Sequence, residues 1–530
     1  MHQKREWLVI GFFLLLAFFI RFPAFFQSAI GPDEGLYLLV AKNFVEGNPP
    51  YTVVWDNKPI GIYLFFSLAL ILFGDSIASI RIIACLAVFI TCYLLYRLGK
   101  VISNNVIIGL LAGILYAVFS TGIMGLMSDT EIFFAPFITL AFYLLFTLRF
   151  NQVSRRNLSL RLLGIGLLIG CALQIKQVVI FQFLALLIIL GIDLKLRSEK
   201  LKYFSEIFKS YALVIIGAII PLLLICFYYL INGHFQDYLY ANFLANIVRV
   251  SDQGFSLSNF VAGFLIQIKS NFILWLCLLL TPFYWISTPK TSAEEKRYLF
   301  YLILWFLMAL LGVAAPKTFY IYYFLQLLPP LCLISAYLVI KVVWAAREIG
   351  LTKRLILLSL IFIGPILNTI YPLFNAGAKS LYFRHVKDVE DWGDDPAIIA
   401  RYLEGRVSKD DYIFVVDYFS VLYYLLPAKI PTRYPYPRFL LSDNLSKVAG
   451  TNPLKELRAI MNKKPLYVIR VNPKGDEGEV VYKELDKYLQ KDYVLEKSFP
   501  LYGDIFEYIE SQTGMYAVEL YRLRGNLQAR

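Results

Sequence analysis

Long apolar runs alternate with short polar segments along roughly the first 372 residues of the chain. An apolar helix of about 20 residues spans the hydrocarbon core of a bilayer. The pattern therefore predicts a polytopic α-helical membrane protein with about eleven transmembrane helices. We place these spans at residues 7–26, 79–97, 105–122, 131–148, 161–175, 177–192, 210–231, 261–287, 298–314, 322–343 and 355–372.

One further apolar run, residues 59–73, is too short to be a span. As a helix it would be about 22 Å long, below the ~30 Å of the hydrocarbon core. We therefore expect an interfacial or re-entrant helix. With this assignment, all the basic clusters before residue 372 face the cytoplasm, as the positive-inside rule requires. They lie at residues 4–5, 97–100, 149–161, 195–209, 290–297 and 341–354.

The resulting topology has a cytoplasmic N-terminus, with the first apolar run retained as a helix, and an extracytoplasmic C-terminal region. We expect the protein in the inner (plasma) membrane. The transmembrane domain covers residues 1–375, and its first outside loop covers residues 27–78. Beyond it, apolar β-type runs alternate with helical patterns, which predicts an extracytoplasmic α/β domain at 376–530. Its predicted strands are 411–417, 465–471, 505–510 and 516–523, and its predicted helices are 396–405, 454–463 and 477–490.

Composition supports this fold class and excludes several functions. Hydrophobic residues make up 58% of the chain and charged residues 17%, against roughly 45–50% and 25% in soluble proteins. All six cysteines lie in apolar runs without metal-binding spacing, which is typical of small membrane-core residues. The net charge of +13 is explained by the cytoplasmic clusters, so no nucleic-acid partner is expected. The C-terminal region contains no GxGxxG, P-loop or nucleophile elbow, so no nucleotide cofactor is expected.

The first outside loop contains the most informative polar residues. In "GPDEGLYLLV", Asp33 and Glu34 stand side by side, directly before a predicted surface helix at 34–46. Asp33 could cap this helix or act chemically. Lys58 opens the second short helix, where a phosphate would meet backbone N–H groups and a favourable dipole. An interfacial lysine that reaches toward water is the structural alternative. Together, the acids and the lysine suit a lipid-phosphate substrate.

Several motifs resemble one family. They are Arg21-Phe22, "PDEGLYLLVAKNFVEGNPPY", "WDNKPIGIYLFFSLALILFGDSIASIRI", "MSDTEIFFAPFITLAFYLLF" in the second outside loop, and "YYFLQLLPP" at 322–330. The chain resembles polyprenyl-phosphate-dependent glycosyltransferases of the GT-C type, in the branch that includes protein O-mannosyltransferases and the lipid A aminoarabinose transferase. The resemblance covers most of the membrane region. In the C-terminal region it rests on "PTRYPYP" at 431–437 alone.

The resemblance implies a hexosyl or pentosyl transferase that moves a sugar from a polyprenyl-phosphate donor, with inversion. The acceptor would be a hydroxyl of a cell-envelope lipid, polysaccharide or protein. Asp33 matches the first-loop acid implicated in catalysis or acceptor positioning, Lys58 the phosphate-binding lysine, and Asp129 the second-loop acid. Two departures concern the lysine element. It reads Lys58-Pro59-Ile60 instead of Lys-Pro-Pro, and Asn57 occupies the position of a metal-binding acid. The need for a divalent metal therefore stays an open question, with Asp56 and Asp129 as the candidate ligands.

Other residues are candidates from their outside positions. We expect Asp33 to act as base with assistance from Glu34, and fixed cations to stabilise the departing phosphate. The further cations are Lys176, Arg249 and Lys317, and the residues expected to line the cavity are Tyr37, Asp56, Tyr322, Tyr323, Arg433 and Tyr434. Structural alternatives exist for these: a helix N-cap at Asp129, an interface anchor at Lys176 and an aromatic belt for the tyrosines.

A transporter is the main competing function. A flippase for lipid-linked sugars would place ionisable residues deep within its helices, whereas here the acids cluster in outside loops. A membrane anchor for the α/β domain would not need eleven spans.

Overall fold

The computed structural model describes residues 2–122, 124–148, 154–197, 200–252, 254–288, 292–345, 350–387, 393–471, 478–500 and 517–526. The chain divides into two compact units, each assembled from three stretches of sequence. The first unit consists of Met1–Phe22, Arg81–Ile231 and Phe255–Tyr371. The second unit consists of Pro23–Ile80, Asn232–Gly254 and Pro372–Arg530.

Most of the described residues are helical. The helices are α1 (His2–Arg21), α2 (Pro32–Val45), α3 (Gly61–Phe73), α4 (Ile77–Ser103), α5 (Val106–Phe119), α6 (Thr130–Phe146), α7 (Arg155–Leu173), α8 (Val179–Arg197), α9 (Lys200–Ile231), α10 (Phe235–Leu239), α11 (Ala245–Asp252), α12 (Leu257–Ser287), α13 (Ala293–Ala314), α14 (Leu328–Ala345), α15 (Leu351–Pro365), α16 (Tyr371–Val386), α17 (Asp395–Leu403), α18 (Leu422–Leu425), α19 (Arg438–Leu441), α20 (Asp443–Ala449), α21 (Pro453–Asn462) and α22 (Glu479–Asp492). Short 3₁₀ turns occupy Phe22–Phe26, Ile321–Leu327 and Arg524–Asn526, and π-helical turns occupy Tyr240–Leu244 and Ile366–Ile370.

Among the described residues, nine helices are long and apolar enough to cross a membrane. They correspond to nine of the eleven predicted spans. The other two, 105–122 and 131–148, form the shorter apolar helices α5 and α6. The predicted short helix at 59–73 is α3. The multi-pass α-helical fold class is therefore confirmed.

The last membrane helix is longer than predicted. The expected span 355–372 continues as an apolar helical run from Thr352 to Phe383. Pro372 does not end it; the π-helical turn at Ile366–Ile370 lies just before this proline, and such local π adjustments allow proline within membrane helices.

Small residues set the closest helix packing in the first unit. A Cβ built on Gly166 of α7 would lie 2.0 Å from the carbonyl oxygen of Val214 on α9, and one on Gly217 would lie 2.3 Å from the carbonyl oxygen of Leu163. Neither position can hold a larger side chain without a backbone shift. Close backbone contact of this kind is how helices associate in lipid, where hydrophobic driving force between them is weak.

The second unit contains a four-stranded sheet over a buried apolar core. Its strands are β1 (Ile413–Val416), β2 (Tyr467–Val471), β3 (Tyr493–Pro500) and β4 (Ala517–Leu523), in the order β1-β2-β4-β3. β1 pairs parallel to β2 in the register Val415↔Ile469, and β4 is antiparallel to both β2 and β3. The core includes Phe414, Val468, Leu457, Ile460 and Leu485.

Three predicted strands and all three predicted helices of this region are present. The predicted strand at 505–510 lies outside the described residues. The strand β3 was not predicted because Glu496, Lys497 and Ser498 interrupt its apolar pattern. A strand at the edge of the described sheet tolerates such polar residues.

The first outside loop belongs to the second unit. Residues 27–78 and 232–254 join residues 372–530 there. The backbone N–H of Trp55 donates to the carbonyl of Arg433 at 2.7 Å, and the Trp55 ring packs edge-on against Phe439 with centroids 4.9 Å apart. The boundary predicted after residue 375 lies close to the unit boundary at Tyr371.

Candidate functional site

The start of α2 places Asp33 and Glu34. Gly31 is the N-cap, Pro32 is the first helical residue, and both acids fall in the first turn. A proline at this position is pre-organised for the helix, and carboxylates are favoured near the positive end of the dipole. The local sequence thus holds two acids at a defined helix end.

Asp33 forms an ion pair with Lys58. The ammonium nitrogen lies 3.3 Å from Asp33 Oδ2, and the two side chains are only 12% (Lys58) and 13% (Asp33) exposed. Tyr37, one turn along α2, donates its hydroxyl to the same oxygen at 3.3 Å. The Lys58 ammonium also lies 5.5 Å from the centroid of the Tyr37 ring, a cation–π distance. Three of the residues singled out from the sequence therefore meet here.

A hydrogen bond fixes the backbone at Lys58. Tyr51 donates its hydroxyl to the Lys58 carbonyl at 2.8 Å. Lys58 was predicted to open the second short helix, but this helix, α3, begins at Gly61 with Ile60 as its N-cap. Lys58 therefore lies on the approach to the helix, next to the carboxylate of Asp33.

Asp56 is a buried acid behind this pair. Its side chain is 2% exposed and accepts hydrogen bonds from the Tyr63 hydroxyl at 2.8 Å and the Asn57 backbone N–H at 2.7 Å. Burial raises the pKa of Asp56 above its usual value, and the charge of Asp33 adds to the rise, while Lys58 opposes it. Tyr63 was not identified from the sequence. Its only signal is a tyrosine in an otherwise apolar first turn of α3.

Glu34 has a different environment from Asp33. Its side chain is buried, and Oε2 accepts the backbone N–H of Ile30 at 3.1 Å. This bond closes the turn that leads into α2. The assistance to Asp33 that the sequence suggested for Glu34 stays a prediction.

Asp56, a candidate metal ligand, belongs to a network of hydrogen bonds. Both of its oxygens already accept hydrogen bonds, and the Asn57 amide pairs with Asn246 at 3.3 Å while Asn246 donates to the Asn57 carbonyl at 3.1 Å. Oδ1 of Asp129, the other candidate ligand, accepts the N–H of Thr130. Across the described residues, no group of three or more His, Cys, Asp or Glu side chains could hold a metal ion.

A second polar cluster lies in the first unit. Asp129 is the N-cap of α6 and accepts the Thr130 N–H at 2.6 Å. Next to it, Glu131 forms a buried ion pair with Lys176, which follows α7. The Lys176 ammonium lies 3.9 Å from the Tyr323 ring centroid and 5.4 Å from that of Tyr322. Four predicted residues are thus brought together here.

Glu131 is the member of this cluster that sequence reasoning did not identify as a partner. A signal for it existed. An acid and a lysine that flank neighbouring apolar runs are expected to pair, because an unpaired charge in an apolar environment is costly.

Lys317 lies in a strained turn after α13. Lys317 and Phe319 both have positive φ, 60° and 51°, a conformation that non-glycine residues adopt rarely. Strain of this kind concentrates at functional sites. Residues 315–320 contain no glycine or asparagine, the residues that usually mark such a turn in a sequence.

Arg433, Tyr434 and Arg249 belong to the second unit. The Arg433 guanidinium donates to the carbonyl of Tyr51 at 2.6 Å, and the Tyr434 ring lies 5.8 Å from that of Trp55. Both therefore support the loop that carries Asp56 and Lys58. Arg249 is half-buried in the last turn of α11.

Comparisons with known proteins bear on the fold. Residues 57–225 match a family model described as dolichyl-phosphate-mannose-protein mannosyltransferase. The crystal structure of ArnT from Cupriavidus metallidurans bound to undecaprenyl phosphate is similar, with a TM-score of 0.61, 12% identity and 99% of each chain covered. Its apo state gives a TM-score of 0.58, also with 12% identity and 99% of each chain covered. An oligosaccharyltransferase from Archaeoglobus fulgidus has a TM-score of 0.48 and 14% identity, over 88% of this chain and 69% of that one.

No curated protein matches the sequence significantly. The chain nevertheless aligns in three dimensions with ArnT over nearly its whole length, and the matched family segment includes Lys58, Asp129 and Lys176. The chain is therefore a multi-pass membrane protein with the GT-C glycosyltransferase fold, which confirms the resemblance inferred from its motifs.

Proposed function

We propose that the chain is an integral membrane glycosyltransferase that moves one sugar from a polyprenyl-phosphate donor to an acceptor hydroxyl of the cell envelope. The observation that carries the proposal is the partly buried Asp33–Lys58 pair at the start of α2. It puts a carboxylate that can take a proton beside an ammonium that can hold a phosphate. The ligand named for ArnT, undecaprenyl phosphate, and the name of the matched family support this donor class.

The chemistry needs one proton transfer and one displacement. A carboxylate oxygen of Asp33 takes the proton of the acceptor hydroxyl, and the acceptor oxygen attacks the anomeric carbon from the face opposite the phosphate. The new carbon–oxygen bond forms as the bond to the phosphate oxygen breaks, so the configuration inverts. Polyprenyl phosphate leaves as an anion, and Lys58 stabilises the charge that develops on it.

Lys58 has two possible anionic partners in this scheme. Without donor it pairs with Asp33. When a donor phosphate takes the Lys58 ammonium, the Asp33 carboxylate is released from the ion pair and can accept the proton of the acceptor hydroxyl. Donor binding would therefore prepare the base, and a site without donor would hold the base inactive.

The remaining candidates receive subsidiary roles. Tyr37 orients Asp33 through its hydroxyl, and Asp56 orients the segment before Lys58 through its bonds to Tyr63 and Asn57. Asp129 is proposed as the second acid that positions substrate. Lys176 is proposed as a further phosphate ligand, which requires it to exchange its pairing with Glu131 for the phosphate.

The remaining donor-binding residues also stay proposals. Lys317 and Arg249 are proposed phosphate ligands from strained or surface segments, and Tyr322 and Tyr323 are proposed to line the donor cavity. This requires the outside loops to share one compartment. We propose that they are extracytoplasmic, with a cytoplasmic N-terminus, in the inner (plasma) membrane.

The test is turnover of defined donors by the full-length protein in lipid nanodiscs. Undecaprenyl phosphate mannose and undecaprenyl phosphate arabinose represent a hexose and a pentose. We expect wild type to cleave one of them in the presence of a cell-envelope extract, and Asp33→Asn and Lys58→Met to lose at least about 100-fold of the rate, as for other groups that act in the transition state.

Asp75→Asn is the matched control. Asp75 forms a lysine pair of similar length, 3.2 Å to Lys42, in the same unit, and the rate should not change. Full activity of Asp33→Asn would remove the proposed base. Movement of the intact lipid across liposomes without cleavage would favour the flippase instead.

A further inference from the structure

Two buried hydroxyls in the second unit lack a hydrogen-bond partner. Tyr418 is 5% exposed and Ser420 is 1% exposed. Within the described part of the chain, neither the Tyr418 Oη nor the Ser420 Oγ makes a hydrogen bond. Buried polar groups in folded proteins are almost always paired, with protein, water or ligand. Two orphaned hydroxyls two residues apart therefore need an explanation.

Both hydroxyls follow the carboxyl end of the parallel strand β1. Asp417, the residue between β1 and Tyr418, has a φ of 53°. This left-handed conformation is disfavoured for a side chain with a Cβ, and such strain persists where the surrounding structure enforces it. Ligands of α/β sheets commonly bind at the carboxyl ends of parallel strands. The backbone is thus turned at a position where ligand sites often form.

Two carboxylates of the α17 start lie close to Tyr418. Burial raises the pKa of Tyr418 well above its usual value, and the charges of Asp395 and Asp394 add to the rise. The phenol therefore stays protonated and can donate a hydrogen bond. Asp394 is itself fixed, because it accepts the N–H of Ser28 at 2.8 Å and the Ser28 hydroxyl at 2.5 Å. The group combines hydroxyl donors with carboxylate acceptors.

The group lies beside the helix turn that carries Asp33. The segment that contains Ser420 packs so closely on α2 that a Cβ built on Gly35 would lie 2.6 Å from the backbone nitrogen of Val421. Gly35 comes two residues after Asp33, which is about 200° around the helix. Tyr418 and Ser420 are therefore neighbours of the first turn of α2, on the side away from Lys58.

We propose that Tyr418, Ser420, Asp394 and Asp395 form a binding site for one sugar unit of the acceptor. Sugar hydroxyls both donate and accept, so they satisfy carboxylates and orphaned hydroxyls together. A unit bound here would lie next to, and not at, the reacting hydroxyl. The site would hold a polyhydroxylated acceptor on one side of the first turn of α2 while Asp33 works on the other. That the bound sugar belongs to an acceptor rests on the proposed function.

The test measures sugar binding and needs no turnover. Methyl α-mannopyranoside, methyl α-glucopyranoside and methyl β-galactopyranoside are titrated onto the full-length protein in nanodiscs, and saturation transfer is followed by NMR. We expect at least one glycoside to bind wild type. Tyr418→Phe and Ser420→Ala each remove a hydroxyl that makes no hydrogen bond to the described residues. Each should therefore raise the Kd at least about fivefold, at an unchanged or higher unfolding temperature.

Tyr423→Phe is the matched control. The hydroxyl of Tyr423 accepts the backbone N–H of Val415 at 2.9 Å, so its removal should lower the unfolding temperature and leave the glycoside Kd unchanged. An unchanged Kd in both Tyr418→Phe and Ser420→Ala would overturn the proposal. So would the absence of glycoside binding to wild type, which would leave only water for these hydroxyls. Failure of donor cleavage by wild type is a separate result and counts against the proposed function alone.

Discussion

The ion pair between Asp33 and Lys58 predicts a competition between the carboxylate and the donor phosphate. Replacing Asp33 by Asn removes the negative charge and keeps the size and shape of the side chain. Lys58 then no longer has to leave a carboxylate before it binds phosphate. We therefore expect Asp33→Asn to bind undecaprenyl phosphate more tightly than wild type, although it cannot transfer sugar.

The distance sets the magnitude. At 3.3 Å and an effective dielectric constant of about 20, the attraction between two unit charges is about 5 kcal/mol. Much of this is offset because a released carboxylate regains hydration, so a net gain of about 1–2 kcal/mol is expected. That corresponds to binding that is about 5- to 30-fold tighter.

The assay is calorimetric titration of undecaprenyl phosphate, which carries no sugar and cannot react, into the purified full-length protein. Lys58→Met should weaken binding about tenfold or more through loss of a charge-assisted contact. Asp75→Asn removes an equivalent charge from the pair with Lys42 and should not alter the Kd by more than about twofold, since exposed pairs contribute little.

The sign of the change makes the prediction specific. If Asp33 only stabilised the first turn of α2, Asp33→Asn would leave phosphate binding unchanged or weaken it. An equal or higher Kd in a variant whose unfolding temperature is unchanged would refute the competition between carboxylate and phosphate.

Three further variants test the architecture. Between the ordinary aspartate pKa of about 3.9 and its own raised pKa, folded Asp56 holds a proton that the unfolded chain has lost, so stability should fall as pH rises through this window. Asp56→Asn should flatten that slope in unfolding-temperature measurements. Gly35→Ala places a methyl group against the backbone of Val421. It should lower the free energy of unfolding by about 1–3 kcal/mol, partly offset by about 1 kcal/mol of helix propensity. Gly164→Ala, with open space around it, should be neutral or stabilising, and denaturant titration compares the two variants. Lys176→Met leaves Glu131 buried without its ammonium and should cost about 3–5 kcal/mol, most of which a second change, Glu131→Gln, should restore in the same titration.

The helices could be predicted because their signal is local. A run of apolar residues long enough to span a bilayer folds as a helix in lipid, where every backbone polar group must be satisfied within the segment. All eleven predicted spans therefore coincide with helices, including α5 and α6, which are short. The helix predicted at 34–46 is α2, but it begins two residues earlier, at Pro32, so that Asp33 lies in its first turn and Gly31 is the N-cap. Strand β3 lacked such a signal, because charged residues interrupt its apolar pattern. It is held in the sheet by pairing with β4, a segment that lies later in the sequence.

The sequence by itself determined the membrane class, the helix positions and a short set of candidate acids and cations. Only the tertiary structure decided which of them meet. Asp33 pairs with Lys58 across 25 residues, Lys176 with Glu131 across 45, and Ser28 with Asp394 across 366. The physical reason is that hydrophobic periodicity reports which face of an element is buried, whereas the partner of a polar group depends on the path of the whole backbone. That path joins the first outside loop to the C-terminal region in one compact unit, and it places Tyr418 and Ser420 beside the turn of Asp33.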